Sequence, residues 1–233
     1  MIELIKSISK NLYRKYYLSK ISYRETQKAL RRTLKLSVLE VRDMEREFDQ
    51  LFTTQSFSIG GPQAVLKDDA FALYAIVRRL QPSYMVETGT YQGYSSHVII
   101  EAIKKNQKGR FITCDIEDYR VFKDDFNEKS FEFAMGPSSE SFKLIAFEQV
   151  DIFFHDSDHR YPNVLFEIST AVKNKVKIIL CHDFAKKNVH NTVKVVNGKG
   201  CRHAFIEAVG EEYQIYELPT INGIGMAVKK PEI

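Results

Sequence analysis

Apolar residues recur at helical spacing along the first fifty positions: Leu4, Ile8 and Leu12, then Ile21, Leu30, Leu34, Val38 and Val41, with charged residues between them. Neither Gly nor Pro interrupts Ile2 to Leu51, so one or two amphipathic helices are expected there. The turn-rich segment SFSIGGPQA, residues 56–64, ends this pattern and divides a helical N-terminal arm, 1–55, from a domain spanning 56–233. Helix is expected again from about Val65 to Leu80. Short apolar runs then alternate with helical stretches: strand at Tyr84 to Glu87, helix near Ser95 to Asn106, and strand at Arg110 to Asp115. Next come a strand at Val150 to His155, a helix near Pro162 to Lys173 and a strand at Val176 to Cys181. Such alternation predicts an open, mainly parallel α/β sheet with helices on both faces, whose ligands sit at the carboxyl ends of the strands. Tyr213 to Glu217 and Gly225 to Lys229 flank PTINGI, and this predicts an antiparallel C-terminal hairpin turning at Asn222-Gly223.

With 233 residues, 44% of them hydrophobic, the chain is long enough for one such domain with an appendage. Charge changes the picture of the arm. Residues 1–36 hold ten Lys or Arg and two Glu, a local balance of +8 against +4 for the whole chain. The arm is therefore read either as an extension packed on the domain or on a second subunit, giving a homo-oligomer, or as a surface that meets a membrane, nucleic acid or an acidic polymer. The start, MIELIKSISKNLYRK, lacks the unbroken apolar run of a secretory signal, and a cytoplasmic location is expected. Cys114, Cys181 and Cys201 form an odd set without metal-type spacing and read as reduced, buried residues.

Two constellations carry candidate chemistry. The first is Val86-Glu87-Thr88-Gly89-Thr90-Tyr91-Gln92-Gly93-Tyr94-Ser95-Ser96, which leaves a strand and opens a helix. Glycines at such a turn let backbone approach a ligand, and the helix N-terminus offers free N–H groups. The spacing is neither the G-x-G-x-x-G of dinucleotide binding nor a P-loop with its lysine, which disfavours NAD and ATP. The second is Asp156-Ser157-Asp158-His159-Arg160-Tyr161, with His182-Asp183 after the following strand. In a parallel sheet both groups reach the same edge as the glycine turn and can converge for metal or acid/base work.

Glu87-x-Gly89-x-x-x-Gly93 resembles the first motif of class I methyltransferases that use S-adenosylmethionine (SAM), enzymes with a Rossmann-like sheet. The resemblance implies that Glu87 and the turn, with Gly89, Thr90, Tyr91, Gly93 and Ser95, hold the amino-acid end of SAM. Asp115, closing the next strand with Ile116 beside it, is then the ribose-binding acid, and Gly136-Pro137-Ser138 resembles the loop beside the adenine. Asp156-Ser157-Asp158-His159-Arg160-Tyr161 resembles the D-G-D-H-x-Y signature of macrocin-type and other sugar O-methyltransferases and of cephalosporin-hydroxylase-like proteins. That likeness spans roughly residues 60–230. It implies Asp156, His182 and Asp183 as ligands of a divalent metal, Asp156 also touching SAM, and His159 as general base. The expected substrate is a hydroxyl on a small molecule or sugar. The chain departs from the pattern at Ser157, where glycine is usual, at Lys173-Asn174-Lys175, which replaces a Gly-Gly, and at His182, where a carboxylate is usual. An imidazole ligand favours Mn, Fe, Ni or Zn over Mg. The alternative enzyme is a nucleic-acid (RNA) methyltransferase that grips phosphates with the basic arm; it is disfavoured because the loop after the fourth strand is acidic and no base-flipping motif is visible. Asp158 reads as a loop cap, and His155 and His97 as packed residues. A protein that binds SAM without catalysing transfer would share the glycine turn and Asp115 but need neither Asp156 nor His159.

Overall fold

A computed structural model describes residues 23–54, 66–186 and 199–231. The first 22 residues of the arm, the boundary segment 56–64 with Gln63, and His190 and Lys194 lie outside the described residues.

Seven strands form one sheet: β1 Tyr84–Thr88, β2 Arg110–Asp115, β3 Phe131–Met135, β4 Ile152–His155, β5 Ile178–Cys181, β6 Tyr213–Leu218 and β7 Ile224–Lys229. Their order is β3-β2-β1-β4-β5-β7-β6. The first five run parallel, while β7 pairs antiparallel with both β5 and β6. The direction of winding reverses between β1 and β4, and a crevice opens at the carboxyl edge there. Register keeps that edge level, because Thr88 faces both Cys114 and His155, and His155 faces Cys181. The expected α/β architecture with its antiparallel end is thus the observed one.

The helices are α1 at residues 23–33, α2 Val38–Thr54, α3 Lys67–Leu80, α4 Tyr94–Asn106, the short α5 Ser138–Ser141, α6 Tyr161–Lys173 and α7 Cys201–Val209. Side chains alternate between the two sheet faces along each strand. Met85, Phe154 and Leu180 pack in a layer with α3 and α4, whereas Val86, Phe153, Ile179 and Cys181 pack with α6 and α7. Two elements had no clear period in the sequence. The strand β3 reads FEFAM and buries only Phe131 and Ala134, and α7 is only nine residues long.

Among the described residues, the helical stretch before the domain breaks once. Lys35 adopts φ +52°, and Ser37 then starts α2 with a reciprocal capping box, its hydroxyl accepting from the Glu40 amide at 3.2 Å and its own amide donating to Glu40 at 2.7 Å. Leu30, Leu34, Leu36, Val41 and Phe48 are buried in the same cluster as α3. Phe48 meets Phe71 and Tyr74 edge-on with ring centroids 5.5 and 5.7 Å apart, and Arg78 donates to Glu47 at 3.0 Å. Residues 23–54 therefore share a core with the sheet. Among the described residues, no helix is long and apolar enough to cross a membrane.

Candidate active site

The glycine turn after β1 is built by close backbone packing. Gly89 has φ +87°, and a Cβ there would lie 2.2 Å from the Asp156 carbonyl oxygen, so only glycine lets the β1 and β4 loops pass. Beneath the turn, Glu87 is wholly buried and accepts hydrogen bonds from Ser96 and, at 2.7 Å, from Thr113. Burial pushes its carboxyl up to about 7, against the pull of hydrogen bonds from Ser95, Ser96 and Thr113. Thr90 shares a 2.6 Å hydrogen bond with Thr113. Asp115 receives the Tyr91 amide at 2.6 Å and the Ile116 amide at 2.7 Å. The first of these bonds ties the loop after β1 to the loop after β2, and the second fixes the carboxylate within its own loop.

Above these loops lies a cavity of about 410 Å³. Gly89, Tyr91, Asp115, Ile116, Ser138 and Asp156 face it, with Gly136 and Pro137 on the β3 side. Glu87, Thr90, Gly93 and Ser95 are not among its lining residues. Glu87, Thr90 and Ser95 are buried, and Gly93 forms the N-cap of α4 with φ +84°. These four shape the turn; the other six line the cavity.

Behind Asp156, which lines the cavity, the ends of β4 and β5 bring acids and imidazoles together; His159, His182 and Asp183 are not among the lining residues. His182 Nδ1 lies 2.9 Å from Asp156 Oδ1, and its Nε2 lies 3.6 Å from Asp69 Oδ2. His159 Nε2 lies 3.2 Å from Asp183 Oδ2 and 3.6 Å from Asp156 Oδ1. Asp183 itself sits at φ +55°, a left-handed backbone that Asp tolerates better than most residues. Burial alone would lower the His182 imidazole, but the carboxylates of Asp156 and Asp69 outweigh it and hold it well above its ordinary value. Burial would likewise raise Asp156, and the adjacent His182 and His159 outweigh that and hold it well below the usual carboxylate range. One ligand atom each from Asp156, His159 and His182 lies within 4.8 Å of the others, a donor set that fits a divalent cation.

Residues 86–184 match the model of a methyltransferase domain. Over that span the chain carries a methyltransferase domain that resembles those of class I SAM-dependent enzymes. Solved structures share its fold at low identity. PaMTH1, an SAH-bound methyltransferase of Podospora anserina, is 16% identical with a TM-score of 0.58, over 81% of this chain and 88% of that one. An O-methyltransferase of Bacillus cereus, in complex with SAH, is 16% identical with a TM-score of 0.58, over 88% and 96%. TomG of Streptomyces achromogenes, an O-methyltransferase in complex with SAM and involved in tomaymycin synthesis, is 15% identical with a TM-score of 0.54, over 84% and 92%. No curated protein matches the chain.

All four polar residues singled out after β4 and β5 converge, but the cluster of ligand atoms is Asp156, His159 and His182, so that His159 stands inside it and Asp183 beside it. Asp158 accepts the Arg160 amide at 3.0 Å, as a loop cap does, and also lines the cavity. His97 is packed, stacked on Phe122 at 4.4 Å and bonded to Asp125. Two residues escaped the sequence reading. Asp69, wholly buried in the first turn of α3, looks like an ordinary helix-start acid. Glu167 left a signal, being the one charged member of the buried stripe Val164, Glu167, Ile168 and Ala171 on α6. It lines the cavity and accepts from Thr88 at 2.6 Å, from Ser157 at 2.9 Å and from Asn163 at 3.2 Å, and it lies 2.6 Å from His155 Nδ1.

Proposed function

We infer that this methyltransferase moves the SAM methyl group to a hydroxyl oxygen of a small molecule or sugar. The observation that carries the reading is the double position of Asp156, which lines the cofactor cavity and also belongs to the acid and imidazole cluster. A group that can accept a proton, His159, therefore lies directly behind the wall of the cavity where the methyl donor would lie. In the transfer, the acceptor oxygen forms its bond to the methyl carbon as the carbon–sulfur bond of the sulfonium breaks, and the hydroxyl proton leaves to a base. His159, steadied between Asp156 and Asp183, is the residue assigned to take it. Two neighbours of similar fold are O-methyltransferases, which supports oxygen as the acceptor. The acids at the site, Asp69, Asp156, Asp158 and Asp183, repel a phosphate chain and favour a small substrate over nucleic acid.

Asp156 and His182, with Asp183 or His159 completing the set, are the residues that would hold a divalent cation. Such an ion, when bound, supplies Lewis acidity that lowers the pKa of a hydroxyl. Two imidazoles in the donor set favour Mn, Fe, Ni or Zn over Mg.

The test is a SAM-dependent transfer assay over catechols, glycosides and tRNA, with and without EDTA. An O-methylated small molecule is expected, with no transfer to tRNA. His159→Ala should lower kcat by about 100- to 10,000-fold and leave SAM affinity unchanged. Transfer to tRNA alone, or an unimpaired His159→Ala enzyme, contradicts the reading. Full activity after EDTA removes the metal and keeps the base.

A further inference from the structure

Below the acid cluster, on the opposite face of the sheet, lies a second group of ligating side chains that the methyl-transfer reading does not use. His155 ends β4, Cys181 ends β5 and Cys201 opens α7. All three are 0% exposed, and a ring nitrogen of His155 and both sulfurs lie within 4.8 Å of one another. The sulfurs are 3.4 Å apart, and both reach the His182 carbonyl oxygen, at 3.4 and 3.5 Å.

We propose that His155, Cys181 and Cys201 form a buried site for a thiolate-preferring divalent cation of the zinc type. Three observations beyond the cluster itself point to a ligand. First, His155 Nε2 is buried without a hydrogen-bond partner among the described residues, and a cation accepts that lone pair. Second, the other ring nitrogen, Nδ1, is held 2.6 Å from the Glu167 carboxylate, the arrangement that orients metal-binding histidines and makes them more basic. Third, the helix α7 begins at Cys201, so its dipole favours a thiolate there.

The donor set also selects the ion. Two thiolates and an imidazole are soft ligands, which suit zinc over magnesium or calcium. A divalent ion with two thiolates is neutral overall, which a wholly buried position requires. Tetrahedral bonds of about 2.3 Å place two sulfurs about 3.8 Å apart, so the observed pair need open by only a few tenths of an ångström. The His182 carbonyl oxygen, already beside both sulfurs, stands at the fourth position. Loading replaces two S–H bonds with two metal–sulfur bonds and releases two protons to solvent, with no change of oxidation state. The ion would pin β4, β5 and α7 together directly under Asp156 and His182.

The experiment uses the reduced, full-length protein, stripped with a chelator and titrated with Co(II) and then Zn(II). One equivalent of Co(II) should produce a sulfur-to-cobalt charge-transfer band, Zn(II) should bleach it, and Zn(II) should raise the melting temperature. Cys181→Ser and Cys201→Ser should each weaken Co(II) binding by at least about 10-fold and remove most of the band. Asp183→Asn, which alters the acid cluster, should keep the band. The proposal is overturned if folded wild-type protein shows no such band, if the band survives in the double Cys→Ser variant, or if Asp183→Asn abolishes it. Should the serine variants fail to fold, the wild-type titration still decides.

Discussion

Glu87 offers a direct measure of how strongly the floor of the cofactor turn depends on burial. The side chain is 0% exposed, and desolvation outweighs the hydrogen bonds from Ser95, Ser96 and Thr113, raising its carboxyl from the ordinary 4.5 to about 7. A folded-state value above the unfolded one means that the contribution to stability is fully present below pH 4.5 and is lost as pH rises through 7. At about 1.4 kcal/mol per pH unit, the loss between about pH 5 and pH 8 is roughly 2.5 kcal/mol. Glu87→Gln keeps the shape and an acceptor but does not ionise. Its buried amide adds a pH-independent offset of about 1–3 kcal/mol. Other titrating groups are common to both proteins, so their contributions cancel in the difference. Denaturant unfolding of the two proteins at several pH values should show the variant gaining on the wild type by about 2.5 kcal/mol across that range. Parallel stability curves, offset but not converging, would refute a desolvated carboxylate at this position.

Two other predictions test the cavity and the core. Asp115→Ala should weaken SAM binding by about 1–3 kcal/mol in calorimetry, because it removes the acidic partner that links the loops after β1 and β2 and faces the cavity; unchanged affinity would deny Asp115 a cofactor role. Phe48→Ala should lower unfolding free energy by about 3–5 kcal/mol, since its ring is wholly buried against Phe71 and Tyr74. A loss below about 1 kcal/mol would mean that α2 is peripheral to the cooperative unit.

The strands were legible wherever a short apolar run was bounded by turn residues. Strand β2 begins and ends at Arg110 and Asp115 as its pattern predicts, and β4 and β5 differ from expectation only at their first residues. The edge strand β3 was not legible, because Glu132 and Met135 are exposed and the burial that would mark a strand falls on two residues of five. The chemistry showed the same division. Asp115, Asp156, His159 and Asp183 announce themselves by following strands in a parallel sheet. Asp69 and Glu167 reach the site from helices, where an acidic residue ordinarily faces solvent, so only their burial in the fold separates them from caps and surface charges. The three cysteines are free and buried, as expected, but what surrounds them was not legible for a related reason. Spacings of 67 or 20 residues carry no motif, yet parallel pairing sets Cys181 beside His155, and α7 returns Cys201 to within 3.4 Å of Cys181.

Strand geometry also explains how two sets of ligating groups arise from neighbouring residues. Successive side chains on a strand point to opposite faces, and parallel pairing in register aligns His155 with Cys181. Both therefore turn toward the layer of α6 and α7, where Glu167 and Cys201 wait. The next residues, Asp156 and His182, turn the other way, toward Asp69 on α3. A one-residue slip of β5 against β4 would exchange the sets, placing His182 against Glu167 and Cys181 against Asp69. Ile152 against Ile178 at one end, and Phe153 against Ile179, resist that slip by keeping each apolar side chain in its own core layer. The register that buries the hydrophobic core is thus the same register that keeps Asp156 and His182 on the side of Asp69 and sets His155 with the two sulfur donors on the side of α6 and α7.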